Sequence, residues 1–126
     1  MAQTVLGICF LDGVDVEVNY TEAFRLLSAA ARQGTSRSIV NLARMYAEGL
    51  GIERNMAEAI RLYKAVEKVE FLAQIALGRI YSRGNGVAVD RAEALRYYSR
   101  ASEWGDRVVD REEMREARDF VLRHSK

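Results

Sequence analysis

The sequence predicts an all-α fold, a right-handed helix-turn-helix solenoid of about three repeats closed by a C-terminal capping helix. Three observations carry this. One pattern recurs three times, at offsets of 36 and 35 residues, and a fixed period in that range is the signature of a helical solenoid. Within each copy the apolar residues fall at helical spacing. The chain has no proline, which suits uninterrupted helices.

Aligned on their turns, Leu6, Leu42 and Leu77 correspond, as do Phe10, Tyr46 and Tyr81. Gly13, Gly49 and Gly84 follow, where the first helix of each pair must end and reverse; a left-handed C-terminal position there favours Gly. Asp15, Gly51 and Gly86 come next. Asn19, Asn55 and Asp90 are good N-cap residues, each with Glu three positions later (Glu22, Glu58, Glu93). This is a capping-box arrangement: the first side chain takes an orphan N–H and the Glu reaches back. Asp110 and Glu113 repeat the spacing a fourth time. Ala23, Ala59 and Ala94 are small where the two helices of a pair cross closely, and Leu26-Leu27, Leu62-Tyr63 and Tyr97-Tyr98 continue the apolar stripe.

The repeats run over about 1–34, 35–69 and 70–105, within a single domain of residues 1–126. The first helix, 2–11, carries Val5, Leu6, Ile8, Cys9, Phe10 and Leu11 and has little polar face. A helix apolar all round expects cover on all sides. Two readings stay open: Val5, Ile8 and Leu11 meet a partner or a second copy, or the helix folds into the local core. The second helix, 20–33, packs through Ala29-Ala30-Ala31 and stops at Gly34. Helix 36–48 turns Leu42, Met45 and Tyr46 inward, and helix 56–68 follows the Gly49-Leu50-Gly51 turn. One residue is missing between Lys64 and Phe71 relative to the preceding copy, so the second inter-repeat turn should be tighter. Helices 71–83 and 91–104 repeat the pair, with Trp104 packing under the last helix. Helix 110–124 puts Met114, Ala117, Phe120 and Val121 on one side and alternates arginines with Glu112, Glu113, Glu116 and Asp119. One apolar face inward and one solvated face outward is what a solenoid cap needs.

The stretch LGRIYSRGNGVAVDRAEALRYYSRASEWG, residues 77–105, resembles the Sel-1-like repeat family, a relative of the tetratricopeptide repeats. It matches that pattern at Leu77, Gly78, Tyr81, Gly84, Gly86, Val87, Asp90, Ala94, Tyr97, Tyr98, Ala101 and Gly105. Residues 42–69 match with Ala43 for the family glycine. Residues 6–34 depart more: Phe10 replaces Tyr, Asp15 the second Gly, and Leu26-Leu27 the aromatic pair. The resemblance implies a protein-interaction scaffold or adaptor, with the first helix of each pair lining a concave side where partners dock. Some members neutralise a cognate toxin. Some cysteine-rich members have been described as penicillin-binding or β-lactamase-like, but this chain has neither their cysteine framework nor a Ser-x-x-Lys motif.

Net charge is +1, so no bulk electrostatic argument favours nucleic acid or membrane as a partner. Of 19 basic residues only Lys64, Lys68 and Lys126 are lysine. That bias reflects genome composition or a choice of guanidinium for bidentate contacts. Cys9 is the single cysteine, so no intrachain disulfide forms, which points to a reducing compartment and a cytoplasmic location. The opening MAQTVLGICFLDG has no basic n-region and meets Asp12 early; it reads as neither signal peptide nor membrane span.

The inventory for catalysis is poor, and the expectation is a non-enzyme without cofactor or metal. His124 is the only histidine and lies two residues from the end. No His-x-x-x-His or Cys-x-x-Cys spacing occurs. Cys9 reads as a buried thiol, and Ser28, Ser99 and Ser102 have no base beside them in sequence. The Gly-x-Gly turns lack the Lys-Ser/Thr of a phosphate loop and recur with the repeat. What remains is surface. Beside the Leu/Tyr stripe lie Arg37, Asn41, Arg44 and Glu48 in the second repeat, and Arg79, Ser82 and Arg83 in the third. Arg44 and Arg79 share a repeat position, and a ladder of such arginines fits an extended protein or peptide bearing acidic groups. The competing reading is solvated arginines paired with Glu48 and similar neighbours.

Overall fold

The computed structural model describes residues 2–104 and 111–124. Among them are seven helices and no strand: α1 (Ala2–Asp12), α2 (Tyr20–Arg32), α3 (Ser36–Glu48), α4 (Met56–Val66), α5 (Phe71–Arg83), α6 (Arg91–Ser102) and α7 (Arg111–His124). The chain divides into two compact units, Met1–Val66 and Glu67–Lys126. In the first, α1 packs on α2, α2 on α3 and α3 on α4; in the second, α5 packs on α6 and α6 on α7. No described helix is long and apolar enough to cross a membrane. Gly105 and Asp110 lie outside the described residues.

Each first helix ends on the glycine the register selects. Gly13, Gly49 and Gly84 have φ of 71°, 67° and 68°, and the N–H groups of Gly49 and Gly84 return to the carbonyls of Met45 and Ile80. Two residues on, Gly51 and Gly86 are also left-handed, and Asp15 adopts the same conformation at φ 63°. Asp15 is thus a true positional equivalent of the glycines, at a steric cost they avoid.

The second helices start as the sequence indicates, but only half of each capping box forms. Asn19, Asn55 and Asp90 accept from the N–H of Glu22, Glu58 and Glu93 at 3.1, 3.1 and 3.0 Å. The glutamates do not reach back. Their carboxylates are taken by Arg25, Arg61 and Arg96, three residues further along. The cap N–H groups instead donate to the carbonyls of Phe10, Tyr46 and Tyr81, each at 2.9 Å. A main-chain bond across the turn thereby does what the Glu side chain was expected to do.

Ala23, Ala59 and Ala94 are fully buried, as close helix crossing requires. The first unit's core joins Leu11, Ala23, Leu27 and Met45, with Ile8, Phe10, Phe24 and Ile52 against it. The second gathers Phe71, Ile75, Ala94, Tyr98, Ala101, Met114 and Ala117. Gly78 lies under the Tyr98 ring, where a Cβ would come within 2.9 Å of three ring atoms.

Three expectations are corrected. The connection after α4 is not tighter: α4 stops at Val66, and residues 67–70 link it to α5, against residues 33–35 between α2 and α3. The missing residue shortens the helix instead. In the segment that follows, within the second unit, Gln74 Nε2 donates to the Glu67 carbonyl at 2.6 Å. Leu6, placed on the inward stripe, is 45% exposed; among the described helices α1 packs chiefly on α2, with a smaller contact to α3. Cys9, read as a buried thiol, is half-buried.

Candidate interaction surface

On α3, residues Arg37, Asn41, Arg44 and Glu48 follow one another at spacings of four, three and four, and so share a helix face. Arg37 and Glu48 are exposed; Asn41 is half-buried, and its Nδ2 donates to the Arg37 carbonyl at 2.8 Å. The Arg44 guanidinium reaches Asp12, at the end of α1, at 2.6 Å, with Glu48 a distant second at 3.9 Å. The arginine is therefore paired, but mainly across helices rather than with its own neighbour.

On α5, Arg79 forms a bidentate pair with Glu116 of α7, Nη2 to Oε1 at 2.6 Å and Nε to Oε2 at 2.9 Å. Glu113 lies 3.7 Å from the same guanidinium. The Tyr98 hydroxyl donates to Glu116 at 2.7 Å. Burial alone would raise the Glu116 pKa; the bonds from Arg79 and Tyr98 outweigh it and hold the carboxyl below its ordinary value. Burial, then the Glu116 bond, pushes the Tyr98 hydroxyl up. Ser82 Oγ donates to the Arg79 carbonyl at 3.2 Å, and Arg83 is exposed. Arg37 and Arg83 make no ion pair among the described residues.

Of the expected apolar face on α1, Val5 is 60% exposed, whereas Leu11 is buried at 3% and Ile8 is half-buried against the same core. Leu6, not singled out for this face, is the second exposed residue there. His124 is not a loose terminal group: its ring stacks on Phe120 at 4.0 Å, with Nδ1 3.0 Å from the Phe120 carbonyl. No group of His, Cys, Asp and Glu among the described residues is arranged to hold a metal ion.

Two features escaped the sequence reading. The triplet Arg25, Arg61 and Arg96 is in repeat register, directly before Leu26, Leu62 and Tyr97, and the alignment already spans it. The other is a polar chain in the second unit. Trp104 Nε1 donates to Gln74 Oε1 at 2.9 Å, Gln74 caps Glu67, and Glu67 binds Arg100. Of these, Gln74, Arg100 and Trp104 line an open pocket together with Lys68, Val69 and Glu103. Its partners lie about 30 residues apart in sequence, so no local pattern announces it.

The Sel1 repeat model matches residues 1–35, 36–65 and 72–106. The chain belongs to the Sel1 repeat family. Its fold is similar to a Sel1 repeat protein from Oxalobacter formigenes, with a TM-score of 0.72 and 36% identity over 83% of this chain and 42% of the other. It is also similar to c5321, a protective antigen of uropathogenic Escherichia coli with the same type of fold, at a TM-score of 0.75 and 33% identity over 83% of this chain and 23% of the other. The chain thus spans less than half the length of either. No curated protein matches it significantly in sequence. Sel1 repeat proteins are generally protein–protein interaction scaffolds, typically without catalysis.

Proposed function

We propose that this Sel1 repeat chain is a non-catalytic interaction module, and that each unit offers its own polar row to a protein or peptide bearing acidic groups, α3 in the first unit and α5 in the second. One observation carries the reading. Arg44 and Arg79, at the same repeat position, each already hold a carboxylate from a different helix. The position is built to receive carboxylates, and Arg79 receives one in the bidentate geometry that makes arginine selective for them. Arg37 and Arg83 supply the charge left over for a partner. Asn41, Glu48 and Ser82 sit beside them as hydrogen-bonding groups. The half-buried lone thiol suits a reducing, cytoplasmic setting. Toxin neutralisation is one form such binding takes. A hydrolase like that described for cysteine-rich relatives is disfavoured because the sequence has no Ser-x-x-Lys motif and a single cysteine.

The test is affinity capture with wild type and with Arg37→Glu/Arg83→Glu, followed by titration of the purified captured protein. Loss of binding in the variant at unchanged helical circular dichroism supports the surface; equal binding by both refutes it.

A second reading has its own observation. Val5 and Leu6 are 60% and 45% exposed side by side on α1, which suits self-association. Light scattering at rising concentration distinguishes a dimer, abolished by Val5→Ser/Leu6→Ser, from a persistent monomer.

A further inference from the structure

The geometry points to a docking site on the open side of α1: the face formed by Val5, Leu6, Val14 and Val16 receives an amphipathic helix of a partner protein, laid on α1 as α2 is laid on α3. The inference rests on the interaction-module reading and goes beyond it, to a second surface and a class of partner.

The first unit contains both the site and its occupied counterpart. At an offset of 36 residues, Leu6 corresponds to Leu42, Val14 to Leu50 and Val16 to Ile52. Leu42 is 7% exposed, and Leu50 and Ile52 pack against the core to which α1, α2 and α3 all contribute. Leu6, Val14 and Val16 are 45%, 51% and 37% exposed. All six residues are aliphatic, so what differs is the neighbour. α3 packs on α2 before it and on α4 after it. α1 has α2 after it, and no described helix precedes it. Repeats of this kind bury their apolar faces only against adjoining helices.

α2 shows how such a helix is held. Its first residue, Tyr20, lies over Gly51, and Phe24, one turn on, meets Tyr46 edge to face at 5.9 Å. α2 therefore starts at the turn and runs back along α3. Moved by one repeat, the incoming helix starts over Asp15 and next meets Phe10. The receiving surface sets the chemistry of that helix. α1 carries no charged side chain before Asp12, so the stripe that meets it is uncharged. A Cβ at Gly51 would come within 2.4 Å of the Tyr20 Cβ. Asp15 has that Cβ at the same left-handed position, so the incoming helix carries glycine where α2 carries Tyr20. Asp15 and Glu17 are exposed carboxylates with no ion pair among the described residues. They favour a helix N-terminus with lysine or arginine in its first turn.

The probe is a fluorescein-labelled peptide of residues 19–33 with Tyr20→Gly and Glu22→Lys, stapled on its polar side to stay helical and titrated against the full chain. The wild-type chain is expected to bind it, and Leu6→Gln/Val16→Gln to bind at least tenfold more weakly at unchanged helical dichroism. No binding by the wild-type chain, or equal binding by both, overturns the proposal. A second variant, Asp15→Gly, keeps the proposal testable should the first fail to fold. It should bind a stapled peptide with Glu22→Lys alone, Tyr20 retained, at least tenfold more tightly than the wild-type chain does; equal binding overturns the proposal. A dimer dissolved by Val5→Ser/Leu6→Ser overturns it too, since a second copy then occupies the face. None of these variants touches Arg37 or Arg83, so failure here leaves the capture result there standing, and the reverse.

Discussion

Leu6 and Leu77 hold the same place in the repeat, yet Leu77 is 0% exposed and Leu6 45%. Identical residues at identical register differ because burial is conferred by neighbouring helices, and the described helices leave Leu6 on α1 largely uncovered. Leu77→Ala should therefore cost about 2–5 kcal/mol, and Leu6→Ala about 0.5 kcal/mol or less. Urea denaturation of the two variants measures the contrast directly. Comparable losses would mean that Leu6 is covered in solution.

The half-formed capping boxes make an asymmetric prediction. Asn55 satisfies the Glu58 N–H, whereas the Glu58 carboxylate serves only Arg61 on the helix surface. Asn55→Ala should destabilise by about 1 kcal/mol. Glu58→Ala should cost clearly less, since no backbone group loses a partner. Thermal melts of both variants decide it; equal losses would restore the reciprocal box.

Asp15 at φ 63° bears a strain that Gly51 and Gly86 do not. Asp15→Gly should stabilise by a few tenths to about 1 kcal/mol, the steric relief being partly offset by the extra freedom of glycine in the unfolded chain. The reverse change, Gly51→Asp, should destabilise strongly, because a Cβ there would come within 2.4 Å of the Tyr20 Cβ. Denaturation midpoints moving in opposite directions bear this out.

Acid should loosen α7 before the rest of its unit. The Glu116 pKa is lower folded than in a free carboxylate. Its contribution is therefore fully present above the ordinary carboxylate pKa and is lost as pH falls through the depressed folded value. Trp104, packed on the cluster that Met114 and Ala117 help form, reports this by fluorescence below about pH 4. In Glu116→Gln that acid transition should be absent, while the signal at neutral pH resembles that of acidified wild type.

The fold was legible because its determinants are local and repeated. Gly49 and Asn55 act within a few residues of their own position, Ala59 acts between the two helices of one pair, and equivalent residues at two other offsets repeat each of them. The surface was legible only as a choice of residues. Arg44 and Arg79 could be picked out by register, but nothing near them in sequence names their partners: Asp12 lies 32 positions away and Glu116 37. The shortening of α4 was hidden for a related reason. A lost residue can be taken from a loop or from a helix end, and the repeat alignment does not say which.

The main-chain bonds from Asn19, Asn55 and Asp90 to Phe10, Tyr46 and Tyr81 bear on how such proteins diverge. They close each hairpin with atoms every residue but proline possesses, so the intervening side chains are released from that duty. The three turns use the freedom: Val14 to Val18, Leu50 to Arg54 and Asn85 to Val89 share almost nothing beyond the left-handed position and one aliphatic residue. Mutation can therefore rewrite the turn surface repeat by repeat while the hairpins stay shut, and a family built this way can acquire new specificities without renegotiating its architecture.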